Sequence, residues 1–287
     1  MKPLFQHKAT TSFAMWFNNF LLRKGEAYSN KTGTFFYQED DRLDPDYISY
    51  ASPYKQWVFD SSITGAQIPS GVYVDGNFVE RGETGLKIDF DNGRVLFSGD
   101  YVDANRNVTG SFAVNDINIY LTDETEENLI VENKYDLNSR FKQGVSGITP
   151  YNQVVPAAFI SMQKSQNIPL AFGGEDQTNL SYRIVGLAEN LYQLDGIISL
   201  CTDSSYEVFP DMTYMGYPLN EFGDLKTGGY NYVNSANEKI PNQNVFMVDT
   251  AYASKISDRV TNKANPGLFL AFIDFDIAKF RYPRSDA

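Results

Sequence analysis

Apolar residues recur at three- and four-residue intervals from Phe13 through Trp16, Phe17 and Phe20 to Leu21. This spacing predicts a helix that starts near Thr11 or Ser12, either of which can cap it, and that ends at Gly25. One face of that helix is almost wholly aromatic, so it must dock either on the chain's own sheet or on a partner subunit.

From about Gly33 to Val131 the pattern changes to short runs separated by turn residues. Thr34 to Tyr37 is a strand candidate, followed by the acidic turn Glu39-Asp40-Asp41 and a break at Asp44-Pro45-Asp46. Gly71 to Val74 and Asn77 to Val79 flank Asp75-Gly76, a pair that supplies the positive backbone dihedrals of a two-residue hairpin. Leu86 to Phe90 and Arg94 to Phe97 flank Asp91-Asn92-Gly93 by the same logic, and Ser111 to Val114 and Ile117 to Leu121 add further strands. Consecutive hairpins predict antiparallel pairing rather than alternating βαβ units.

The chain resumes after the acidic run Asp123 to Glu127 with Leu129-Ile130-Val131, and a Ser/Gly-containing link around Gly144 to Gly147 marks a module boundary. Beyond it, Pro156 to Met162 and Tyr182 to Val185 read as strands. Leu187, Leu191, Leu194 and Ile198 share one helical face, which predicts a second helix from about Ala188 to Leu200. Gly228 to Asn234 reads as a long loop or an exposed extension, and Asn244 to Val248 and Leu268 to Phe275 as buried strands. The expected fold is α+β and strand-rich, with antiparallel hairpins and a few packed helices. It divides into residues 1–145 and 146–287, or forms one continuous domain with insertions.

Composition narrows the function classes. The 287 residues carry 24 Lys+Arg against 36 Asp+Glu, and a net charge of -12 leaves no basic excess for a general DNA-binding surface. The longest apolar stretch, Gly267 to Ile273, is far short of the roughly twenty residues that cross a bilayer. The first twenty residues do not read as a secretion signal, so a reducing compartment is expected. Cys201 and His7 each stand alone, which excludes an intrachain disulfide, a thiolate-rich metal site and any two-imidazole mechanism. Aromatic residues make up 15% of the chain, a content that suits either a β-rich core or a surface that meets other proteins.

The search for chemistry is mostly negative. Asp100 to Asn107 places side-chain oxygens at alternating positions, but Val108 and Val114 stand where a calcium loop needs Gly and Glu. The acidic run Asp123 to Glu127 reads as a solvated turn, and Gly173-Gly174 leads into Glu175-Asp176, which would repel a phosphate. Cys201 reads as a buried, inert thiol. Lys134, Arg140 and Lys142 form a local basic spot that suits an acidic protein face at least as well as a nucleic acid. No cofactor, metal, membrane or direct nucleic-acid contact is expected.

Several stretches carry a family resemblance: Lys8 to Trp16 with Leu21-Leu22, Ser52 to Asp60, Asp89 to Phe97, Pro156 to Ile160, Ala171 to Gly174, and Leu191 to Asp195. Together they resemble virion structural proteins of large contractile-tailed marine phages. The resemblance implies a non-enzymatic virion component, a neck or tail-terminator protein that forms a homo-oligomeric ring and contacts other phage neck or tail proteins. A baseplate or adaptor position, a carbohydrate-binding or adhesion module, and an acid-based glycan hydrolase are the alternatives. The turn chemistry and adjoining rings make Asp75, Gly76, Asp91, Asn92, Gly93, Tyr230 and Tyr232 the expected interface residues. Removal of the loop that holds the two tyrosines is expected to leave the monomer folded but to impair association. Tyr54 and Trp57 are expected in the core.

Overall fold

The first helix, α1 (Phe5–Lys24), begins well before the expected cap in the computed structural model of the chain. The structure describes residues 5–99, 105–137, 152–170, 172–213, 216–242, 244–256 and 267–283. Thr11 and Ser12 lie inside α1 rather than at its start. The Ser12 hydroxyl donates to the Lys8 carbonyl at 2.8 Å and accepts the Met212 N–H at 2.8 Å, so a partner 200 residues away replaces the capping role. After Lys24 the left-handed residue is Glu26 (φ 48), not Gly25. Gly25 is small for another reason: a Cβ there would lie 2.5 Å from Leu200 Cδ1.

Seven strands follow: β1 (Tyr28–Gln38), β2 (Tyr47–Ala51), β3 (Gly71–Val74), β4 (Asn77–Glu80), β5 (Lys87–Asp89), β6 (Arg94–Ser98) and β7 (Val108–Asn115). They form an antiparallel sheet in the order β4-β3-β7-β1-β2-β6-β5. Only Asp116 and Ile117 separate β7 from β8 (Asn118–Leu121), which already belongs to a second sheet. A short parallel pair, β9 (Asp136–Leu137) with β10 (Val154–Val155), precedes four long strands and one short one. These are β11 (Ala157–Pro169), β12 (Asp176–Ala188), β13 (Val208–Pro210), β14 (Val245–Lys255) and β15 (Phe269–Arg281), and the second sheet runs β13-β14-β15-β12-β11-β8. The protein is an α+β fold of two strand-rich, curled sheets with a few packed helices.

Helix α1 lies between the sheets, which explains why it is apolar on more than one side. Phe13 stacks on Tyr182 of β12 at 4.6 Å and meets Phe275 of β15 edge-on at 5.3 Å. Leu22 packs with Val58, Ile63 and Ala113 on the side of the seven-stranded sheet. The aromatic face therefore docks on the chain's own sheet. The largest buried cluster includes α1 and strands of both sheets, with Trp57 inside it and Tyr54 packed against it. Leu129 to Val131 form a helical turn within Asn128–Glu132. The Gly144 to Gly147 link lies outside the described residues.

The second helix, α2 (Leu191–Thr202), starts later than expected because β12 continues through Ala188 and claims Leu187. Asn190 caps it, accepting the Gln193 N–H at 2.9 Å. A third helix, α3 (Tyr232–Lys239), occupies the end of the segment that reads as a loop. Asn231 is its cap and accepts the Asn234 N–H at 2.9 Å.

Candidate functional site

The Asp75-Gly76 turn has the conformation its sequence demands, with φ of 50 and 84, and joins β3 to β4 at the surface. The Asp75 carboxylate accepts Arg106 Nη1 at 2.8 Å and the Asn107 N–H at 3.1 Å, and these bonds hold its pKa below the usual carboxylate range. It is an exposed tip, tied to its neighbour across the sheet.

The Asp91-Asn92-Gly93 turn is differently placed. It is enclosed by the Ser52 to Trp57 segment: Ser52 N–H donates to the Gly93 carbonyl at 3.0 Å, and Gln56 N–H to the Asp91 carbonyl at 3.1 Å. Asp89, just before it, accepts both the Asn92 N–H and amide, at 3.0 and 2.9 Å. Asp89 and Asp40 also hold Arg94 at 2.8 and 2.6 Å in a buried cluster. Gly93 is buried and Asn92 half-buried, so most of this turn belongs to the interior framework rather than to a free contact tip.

Tyr232 is 5% exposed, and its N–H donates to Asp60 Oδ1 at 3.0 Å. The Tyr230 carbonyl accepts the Ser61 N–H at 2.8 Å, and its ring lies 5.9 Å from Phe59. Burial pushes both phenols up from their ordinary pKa, and neither hydroxyl has a hydrogen-bond partner among the described residues. The deletion of Gly228 to Asn234, expected to preserve monomer folding and impair association, therefore meets a structural cost in the monomer itself. It would take away the α3 cap and a core ring together.

What the turn sequence could not reveal is the cavity beside Asp91. A space of about 270 Å³ opens between α1, β8 and the Gln56 to Phe59 segment. Its walls are mainly apolar, with Met15, Trp57, Phe59 and Ile119 contributing, and Asp91, Asn115 and Tyr217 add polar groups. The Asn115 amide donates to Asn18 Oδ1 at 3.0 Å, while its own buried Oδ1 has no partner among the described residues. His7 lines this cavity and also the neighbouring cleft beside the acidic run, where Arg183 binds Glu126 at 2.8 Å.

Asp91 is exposed and lines both this cavity and a second cleft beside Arg94. Desolvation first, and the nearby Asp89 charge second, raise its pKa to about 7. Protonation is thus tighter in the folded chain, so this group lowers stability progressively as pH rises from about 4 to 7 and by a constant amount above that. Asp91→Asn should consequently stabilise the protein more at pH 8 than at pH 4. Denaturant midpoints of both proteins at the two pH values check this, and an equal difference at both would contradict it.

Cys201 is buried, as expected, and burial raises its thiol pKa. No group of three or more His, Cys, Asp or Glu side chains suited to a metal occurs among the described residues. Asp100 and Asp103, and Arg140 and Lys142 of the basic spot, lie outside the described residues. Neither protein-family models nor curated proteins match the sequence.

Proposed function

We propose that the chain is a non-enzymatic structural subunit of a phage virion that self-associates into a ring at the neck or tail terminus and contacts adjacent virion proteins. The observation that carries this reading is an apolar patch at one end of the six-stranded sheet. Ile168 is 43% exposed, Leu170 55%, Phe280 53% and Tyr282 48%, while Phe172 is fully exposed. The register places Ile168 opposite Gln177 and Gln177 opposite Phe280, so the β11 and β15 residues share one face. Leu170 and Phe172 continue from that face onto the β11–β12 connection. Several exposed apolar residues clustered at one end of a sheet mark an interaction site, and a repeated modest contact closes a ring through symmetry.

The test is the mass of the purified protein over a concentration series, with electron microscopy of the same sample. The expected result is a concentration-dependent closed assembly. The double variant Leu170→Ser/Phe172→Ser should shift the mass to monomer while changing stability by only about 0.5 kcal/mol, because both side chains already face water. Undiminished assembly by this variant would remove the patch from the interface. A persistent wild-type monomer would leave a baseplate or adaptor role that needs a partner.

A further inference from the structure

The six-stranded sheet has two stretches of backbone beside which no strand lies among the described residues. On one side β8 covers only Ala157 to Ile160 of β11, and Lys164 to Pro169 run on beyond it. On the other side β13 covers only Val245 to Met247 of β14, and Ala251 to Lys255 run on beyond it. Gln166 to Pro169 on β11, and Tyr252, Ser254 and Lys255 on β14, are exposed. An open edge of this kind presents N–H and C=O groups that invite a further strand. The Ile256 N–H donates to the Leu270 carbonyl at 3.0 Å, so alternation turns the backbone groups of Ala253 and Lys255 away from β15 and outward.

The two edges fit each other. The pairs β11–β12, β12–β15 and β15–β14 are all antiparallel, so β11 and β14 run in opposite directions. A second copy set beside the first with its sheet facing the same way therefore offers β14 antiparallel to β11. Tyr252 lies opposite Asp274 and Asp274 opposite Arg183, while Ile168 lies opposite Gln177. Arg183 and Gln177 alternate in phase along β12, which places Tyr252 and Ile168 on the same face. That face is turned away from α1, because Tyr182 and Phe275, on the other face, meet Phe13. Ile168 opposite Tyr252 of the next copy joins two exposed apolar side chains and carries the apolar patch across the boundary. The same register sets Gln166 opposite Ser254 and Ser165 opposite Lys255, with no like charges face to face. Since the two free stretches lie at opposite ends of the sheet, the copies are displaced along the strands by about half the length of β11. A constant displacement is compatible with closure when the strands tilt against the ring axis.

Resting on the self-association proposed above, we infer that the chain assembles by strand addition: the free edge of β11 in one copy pairs antiparallel with the free edge of β14 in the next. The six-stranded sheet then continues from copy to copy. The two edges differ, so the contact is head-to-tail, the kind that forms a ring when the rotation closes.

The test is disulfide trapping in the full chain, whose native Cys201 is buried. Gln166→Cys and Ser254→Cys change exposed positions and should leave the fold intact. Mixed and oxidised, the two variants are expected to give a covalent dimer on a non-reducing gel that neither gives alone, and the double variant a ladder of linked multimers. Ala253→Pro removes an outward N–H without touching the β15 ladder, and should shift the mass to monomer with the circular dichroism unchanged. Equal cross-linking of Gln166→Cys with itself would indicate a twofold contact and overturn the inference. Wild-type assembly without cross-linking in the mixture would overturn the edge contact while leaving the ring reading in place. A wild-type monomer at every concentration would overturn both.

Discussion

Replacing Phe13 with alanine is expected to remove about 4 kcal/mol of stability, a large share of the roughly 5–15 kcal/mol that holds a domain folded. Phe13 is fully buried and links three elements at once. Besides Tyr182 and Phe275 it lies 5.6 Å from Trp16, 5.9 Å from Phe17 and 6.1 Å from Phe209. Truncation removes the transfer energy of a phenyl ring and opens a cavity whose walls are other rings, large and mutually stacked, that cannot collapse inward. Phe13→Leu retains most of the volume and should cost only about 1.5 kcal/mol. Guanidinium unfolding followed by tryptophan fluorescence measures both, since Trp16 and Trp57 report from the two sides of the interior. A loss below 1 kcal/mol for the alanine variant would mean that α1 is not the keystone between the sheets.

The aromatic spacing that points to Phe13 is a local signal, and it was legible: the 13-16-17-20 pattern marks the buried face without knowledge of the fold. Hairpins were legible for the same reason. Asp75-Gly76 encodes its own positive dihedrals, so β3 and β4 follow from residues in immediate contact along the chain. Errors arise wherever a distant partner decides. Ser12 is a plausible cap until Met212 uses its hydroxyl. Tyr230 and Tyr232 look like loop aromatics until Ser61 and Asp60 bind their backbone and draw them inward. The Asp91 cavity had no local signature at all, because its raised pKa comes from the protein packed around it and from Asp89, not from the turn's own residue types. The candidate contact set therefore separates physically. Asp75 and Gly76 are surface features, Gly93 and Tyr232 are structural, and Asp91 faces a cavity.

Gly93→Ala and Gly76→Ala expose that separation, because both glycines have positive φ, 64 and 84, and both sit in hairpin turns. A Cβ in this backbone region carries a steric penalty of about 1 kcal/mol wherever it occurs. At Gly76 no described residue lies within 4 Å of the added atom, so that penalty is the whole expected effect. At Gly93 the added Cβ would lie 1.8 Å from the Tyr54 carbonyl oxygen and 3.0 Å from Trp57 Nε1. Backbone cannot rotate aside as a side chain can. The turn or the Ser52 to Trp57 segment must move by more than 1 Å, with loss of the Ser52-to-Gly93 hydrogen bond and displacement of the Trp57 ring, which stacks on Phe112 at 4.4 Å. Overpacking and strain of this order add to about 4 kcal/mol in total. The same shift would also deform the cavity wall formed by Gln56, Trp57 and Asp91. Denaturant midpoints of the two variants, compared with wild type, give the result directly. A difference between them of less than 1 kcal/mol would show that the Asp91 turn yields to its neighbours, and that Gly93 is retained for its dihedral alone.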